Sequence, residues 1–297
     1  NDKDDDDDDD DDIRDAPSVS FRMHRNMFEG GTGCHEWLAG IYLAELALTR
    51  PTLFEDRRVV ELGSGVGIAA TVMARGGRAR DGRDGRRAGR PSRLVLTDAD
   101  AGALANLERN LAANDVRVER YESNDESNDD RACSVRTARL NWEDLDADCF
   151  AGGSSRPDVD LVVASDVLYD PLNVTPLLNA CERLLGDGDE ESAPPGTVPG
   201  DGESAPRPRR EEAASRRRAI FVTTLRQPET LAMFERVAAE RGFAPRDVTA
   251  SAFRAIGASG LFESVRGLDR REMRVHELRP PRGRGGRAGS LRDGLNR

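Results

Sequence analysis

What most limits the folds open to this chain is Val59-Val-Glu-Leu-Gly-Ser-Gly-Val-Gly67, a hydrophobic strand that runs into three glycines at alternate positions and then into a helical stretch from Ile68. Glycine lets the backbone turn sharply and approach a ligand closely, and a helix N-terminus behind the turn favours a negative group. Strand, glycine turn and helix in that order open a doubly wound α/β sheet. The spacing is GxGxG, whereas dinucleotide sites usually show GxGxxG, so a nicotinamide cofactor is disfavoured. Taken alone, Glu61, Gly63, Ser64, Gly65 and Gly67 suit S-adenosylmethionine, another nucleotide or a purely structural turn.

The rest of the chain repeats the alternation. Apolar runs of strand type lie at 58–62, 93–97, 135–140, 159–164 and 219–225, and 68–75, 101–114, 174–185 and 228–241 carry apolar residues at helical spacing. That order predicts an α/β protein with a mostly parallel sheet. In the last helix Leu231, Phe234, Val237 and Ala238 predict one buried stripe, and Pro228 sits in the first turn, where its missing N–H costs nothing. Beyond Gly242, the alternation of Met273, Val275 and, less cleanly, Leu278 predicts a final strand pair.

Composition separates this core from its surroundings. Residues 1–15 hold eleven Asp against Lys3 and Arg14, and so contribute −9 of the net charge of −11. Residues 1–18 are therefore expected to be a solvated acidic arm, with the folded domain at 19–279. Segments near 76–91, 122–131 and 186–217 read as low-complexity insertions, the last on the rim of the sheet, and 280–297 as an Arg/Gly tail. That tail lacks interleaved aromatics, so direct nucleic-acid binding is not expected. No apolar run of about eighteen residues and no signal-peptide pattern appear, which predicts a cytoplasmic protein without a membrane partner. Cys34, Cys133, Cys149 and Cys181 show no CxxC spacing, and His24, His35 and His276 fall in unrelated segments, so neither disulfides nor a metal site is expected. The chain opens at Asn1 rather than methionine, which suggests that an upstream region is missing. A monomer is expected.

Three further positions fall at strand ends, where ligands bind in this architecture. Asp98 can accept hydrogen bonds from both ribose hydroxyls of an adenosine, or cap the following helix. Trp142, in Leu140-Asn-Trp142, can stack on an adenine or pack on a loop. The run Asp160-Leu-Val-Val-Ala-Ser-Asp-Val-Leu-Tyr-Asp-Pro171 ends a buried strand in Ser165, Asp166 and Tyr169. There a carboxylate can orient an amine for methyl transfer, a reaction that asks for positioning and desolvation more than for acid or base strength; Asp166 could instead be a helix cap.

Gly31-Thr-Gly-Cys-His-Glu-Trp37, Ile41-Tyr-Leu-Ala-Glu45, the glycine loop, Asn141-Trp142, the Ser165–Pro171 run and Thr224-Leu-Arg-Gln-Pro-Glu-Thr230 together resemble, in order, the family-16 protein-lysine methyltransferases, most closely their elongation factor 2 branch. The resemblance implies a seven-stranded Rossmann-like class I methyltransferase domain, with an antiparallel C-terminal strand and S-adenosyl-L-methionine as cofactor. It implies that Trp37 lies against the cofactor, that Gly63, Ser64 and Gly65 surround its amino-acid part, and that Trp142 and Ser165 contact its adenosine end. Asp166 and Tyr169 then line the lysine channel, and elongation factor 2 is the expected acceptor. The alternatives are another protein or small-molecule acceptor, or a non-catalytic binding module on the same fold. The chain departs from the family in Asn141, where Asp is common, in Ser165, where Ala is common, and in the N-terminal region carried by the nearest branch, whose place an acidic arm takes here.

Overall fold

Strand β1 (Arg58–Leu62) lies inside one seven-stranded sheet, between β2 (Arg93–Asp98) and β4 (Leu161–Ser165) and parallel to both. The full order is β3-β2-β1-β4-β5-β7-β6, with β3 (Ser134–Arg139), β5 (Arg218–Thr224), β6 (Ala244–Asp247) and β7 (Met273–Arg279). Only β7 runs against its neighbours, pairing antiparallel with β5 and β6. This is the mostly parallel sheet with an antiparallel C-terminal strand that the sequence predicts. The computed structural model describes residues 18–24, 31–76, 89–119, 133–145, 159–186, 217–262, 265 and 268–281. The expectations for 1–17, 77–88, 122–131, 187–216 and 282–297, and for Cys149, lie outside the described residues.

Both faces of the sheet are covered, and the strand residues divide between them with the period of two that a pleat imposes. Val59, Leu161, Val163, Ile220 and Val222 join one apolar cluster with helices α1 (Leu38–Thr49), α2 (Ile68–Arg75), α3 (Ala101–Ala113) and α6 (Thr249–Ile256). Val60, Leu62, Val162, Ala164 and Phe221 join the other, with α4 (Val174–Leu185) and α5 (Pro228–Glu240). In α5 the predicted stripe is buried at Leu231, Phe234 and Ala238, while Val237 stays partly exposed at its edge. On β7 the predicted alternation is blurred because His276 and Glu277 are buried as well as Met273, Val275 and Leu278. A strand paired on both sides and covered on both faces leaves no wet position for polar residues to mark.

Because β1 sends its helix to one face and β4 to the other, the chain reverses direction between them. Open sheets of this kind leave a crevice at that point, beyond the carboxyl ends of the strands. The glycine loop follows β1 and Ser165-Asp166 ends β4, so the two strongest sequence signals flank the same crevice.

The segment before the Gly31–Trp37 motif is anchored to the end of α3. Asn110 and Asn114, one turn apart on α3, each exchange a pair of hydrogen bonds with extended backbone, Asn114 with Ser20 and Asn110 with Arg22. His24 N then donates to Cys34 O at 2.9 Å, fixing the approach to the segment that carries Trp37.

Candidate functional site

The crevice holds a cavity lined by His35, Glu36, Trp37 and Gly40 on one wall and by Ser165 on another, with the loop from Gly63 to Ala69 and Glu61 beneath. The floor depends on glycine. Gly63, Gly65 and Gly67 have φ of 68°, 53° and 86°, the left-handed region that side chains disfavour. A Cβ on Gly67 would lie 2.1 Å from Leu107 Cδ1, so this glycine also lets α3 close on the loop. A Cβ on Gly63 would stand 3.5 Å from the Trp142 ring, which puts that indole beside the turn.

Asp98 is turned toward the loop, its Oδ2 accepting from Gly65 N at 3.2 Å and its Oδ1 from Asp100 N at 3.0 Å. The helix cap is supplied by a neighbour: Asp100 caps α3, accepting from Ala103 N at 2.7 Å. Asp98 is thus free of helix capping. Burial raises its pKa above the ordinary carboxylate value, against the pull of the backbone donors.

Two acids give the cavity its electrostatic character. Glu61 is 1% exposed and Glu36 stands on the opposite wall; Glu61 Oε2 and Glu36 Oε1 are both buried without a hydrogen-bond partner among the described residues. Loss of hydration pushes both carboxyls up to about 8, and for Glu36 the charges of Glu61 and Asp166 add to the effect. Glu36 lies in the Gly31–Trp37 motif, which by itself gives it no role. The signal that could have found it is an acid inside an otherwise small and aromatic run.

Asp166 is not a helix cap either. The next turn is capped by Asp170, which accepts from Leu172 N at 2.9 Å. Asp166 has φ 53°, uncommon for a residue with a side chain, and its carboxylate is tied to the end of β5. Oδ1 accepts from Thr224 N at 2.9 Å, while Oδ2 accepts from Thr224 Oγ1 at 3.0 Å and from Arg226 Nη2 at 3.1 Å. Arg226 in turn places its guanidinium 5.1 Å from the centre of the Trp37 ring. Trp37 is steadied from below by His35, edge-on at 5.1 Å, and its Nε1 donates to Thr32 O at 3.0 Å. The structure therefore joins Trp37, Arg226, Asp166 and Thr224 in one chain of contacts across three segments. Tyr169 is 48% exposed and outside the cavity lining, on the rim rather than in the crevice.

The motif that contains Glu45 turns out to be structural. Glu45 is fully buried on α1 and accepts from Leu261 N, Phe262 N and the Arg270 guanidinium, 225 residues away. It pins the segment leading into β7. Among the described residues, no group of three or more His, Cys, Asp or Glu could hold a metal ion, and no helix is long and apolar enough to cross a membrane.

The chain compares with known proteins as this geometry suggests. The profile of the lysine methyltransferase family matches residues 16–190. Protein-lysine N-methyltransferase EEF2KMT of Mus musculus is 30% identical over 165 residues, covering 56% of this chain and 43% of that protein. The Homo sapiens protein of the same name is 30% identical over 165 residues, covering 56% and 44%. The putative protein N-methyltransferase FAM86B1 of Homo sapiens matches to the same extent. The match thus spans less than half the length of these relatives. A glycine-floored crevice at the switch point of a seven-stranded sheet and a family match across more than half of its length lead to one conclusion: the chain belongs to the lysine methyltransferase family.

Proposed function

We propose that this protein is an S-adenosylmethionine-dependent protein-lysine N-methyltransferase. The observation that carries the reading is the cavity beside the glycine loop, whose acidic residues Glu36 and Glu61 are accompanied by no arginine or lysine among the described lining residues. A dinucleotide brings a diphosphate, which finds no counter-charge in that lining. S-adenosylmethionine brings an ammonium and a sulfonium, which buried and unpaired carboxylate oxygens attract.

The residues fit that ligand. Glu61 would accept its ammonium, Gly63, Ser64, Gly65 and Gly67 would surround its amino-acid part, and Asp98 would accept from the ribose. Trp142 and Ser165 would meet the adenosine end, with Trp37 against it. Bound there, the cofactor supplies a methyl group already activated on sulfur. What remains for the protein is to bring a neutral amine in line, strip its water and hold its lone pair forward. Asp166 suits the orienting role: a carboxylate has roughly four acceptor sites, and its three internal donors leave about one for an incoming amine. Tyr169, exposed on the rim, would meet the lysine's approach.

The acceptor we assign is elongation factor 2, which places the protein in the cytoplasm. Support comes from the Thr224–Thr230 segment and from the relatives that carry the EEF2KMT name. Transfer of tritiated methyl groups into a cell extract lacking the endogenous enzyme tests the reading. Label recovered as methyl-lysine in a protein band is expected; label confined to small molecules would contradict it.

A further inference from the structure

The reading above gives Glu61 a partner in the cofactor's ammonium and leaves Glu36 without one. Glu36 precedes Trp37, and its carboxylate packs closely over Gly40: a Cβ there would lie 3.1 Å from Glu36 Oε1 and 3.6 Å from Ser165 Oγ. Glu36 therefore faces the end of β4, the side from which Asp166 would present the acceptor. Its charged neighbours on the facing elements are Glu61 at the end of β1 and Asp166 after β4, both acidic. The nearby cation, Arg226 over Trp37, is engaged by Asp166 at 3.1 Å. Glu36 thus stands between the amino-acid end of the cavity and the acceptor side, buried, with an oxygen that the described residues leave unpaired.

Resting on the S-adenosylmethionine reading, we infer that Glu36 recognises the positive sulfur of the donor and thereby separates the charged donor from its neutral by-product, S-adenosylhomocysteine. The two ligands share every group except the methyl and the charge it confers. A carboxylate at the sulfur adds to the affinity of one and nothing to the other, and after transfer it loses its counter-charge, which favours release of the by-product. In the empty cavity, Glu36 carries a proton near neutral pH because burial and two neighbouring acids oppose its charge. A ligand with a positive sulfur then drives that proton from the carboxyl into the buffer, whereas S-adenosylhomocysteine leaves it in place.

The test is calorimetry on the whole chain with three ligands: S-adenosylmethionine, sinefungin, which carries an amine in place of the methylsulfonium, and S-adenosylhomocysteine. Titrations are run in buffers of unlike ionisation enthalpy, so that proton release is read directly. In the unaltered protein the two cationic ligands should release more protons than the neutral one; equal release overturns the inference without any variant. Glu36→Gln should weaken the two cationic ligands about tenfold or more and leave S-adenosylhomocysteine within about twofold, with Glu36→Asp in between. Equal weakening of all three would make Glu36 a structural residue, and no weakening would make it idle; either result rejects the inference. If none of the three ligands binds the unaltered protein, the cofactor reading itself fails.

Discussion

Arg226 Nη2 lies 3.1 Å from Asp166 Oδ2 while its guanidinium covers the Trp37 ring, so one side chain from the loop after β5 holds Asp166 and Trp37 together. In the sequence Arg226 lies in the Thr224–Thr230 motif that resembles the elongation factor 2 branch, where a role in reading the substrate is the natural proposal. The structure gives it a second duty, and the consequence differs from simple loss of substrate contact. Arg226→Ala should lower turnover roughly 10- to 100-fold by loosening Asp166. It should also weaken cofactor binding, by no more than about fivefold, since a cation–π contact is worth about 0.5 to 1 kcal/mol. Single-turnover kinetics alongside calorimetry separates the two effects, and Glu229→Ala, in the first turn of α5, should affect neither donor affinity nor melting temperature.

Asp166→Ala should cost stability as well as activity. Removing the carboxylate strands Thr224 N and Oγ1 in a buried setting, a loss on the order of 1 to 3 kcal/mol. Denaturant unfolding should show that loss. A variant as stable as the parent would mean that the β5 anchor does not depend on this residue.

The glycine floor predicts a graded series. Gly67→Ala must move Leu107 and adopt a left-handed conformation, so it should lower the melting temperature, with a cost of about 1 to 3 kcal/mol. Trp142→Ala should leave the fold intact and weaken cofactor binding by roughly 0.5 to 1.5 kcal/mol, the worth of a lost aromatic face. Unchanged affinity in a folded Trp142→Ala protein would place the adenosine end elsewhere.

Much of this site was legible because its signals are local. A strand ending in alternate glycines, or in Ser165-Asp166, fixes its own place at the sheet edge, and the central strands were found to within two residues because both of their faces are apolar. Contacts between distant segments were not legible. Nothing in the spacing tells that Glu45 meets Arg270, that Asp166 meets Arg226, or that Asp100 relieves Asp98 of capping. Helix α1 gave no amphipathic stripe, since residues all around it are buried, and α6 buries only Ala252 and Ile256, too little to show a period. Tyr169 is exposed and does not line the cavity, which its motif alone did not tell.

A pH dependence follows from Glu36 and Glu61. Their folded pKa values of about 8 lie above the unfolded value of about 4.5, so the folded protein binds the extra protons. The stability they contribute is fully present below the unfolded value and is lost as pH rises through about 8. The ligand-free Glu36→Gln variant should therefore gain stability relative to the parent between about pH 5 and about pH 8. A constant difference across that range would show that Glu36 titrates normally.

The segment between α4 and β5 should be dispensable for folding. Its flanks already meet, Arg217 Nη1 donating to Gly186 O at 3.1 Å. Replacing residues 187–215 with a short Gly/Ser linker should therefore leave the melting temperature nearly unchanged, since flexible loop length enters closure entropy only logarithmically. A large fall would assign packing to that stretch.

The central claim is methyl transfer from S-adenosylmethionine to a protein lysine, and Lys3 is the only lysine in this chain, so labelled lysine elsewhere in the mixture is a property of the acceptor. Peptide mass spectrometry of purified elongation factor 2, incubated with this protein and methyl-deuterated S-adenosylmethionine, tests the claim most directly. A deuterated methyl group on a lysine of elongation factor 2, absent with Asp166→Ala, is the predicted result. No labelled lysine in elongation factor 2, under conditions where the cofactor is bound and another molecule in an extract is labelled, would contradict the account.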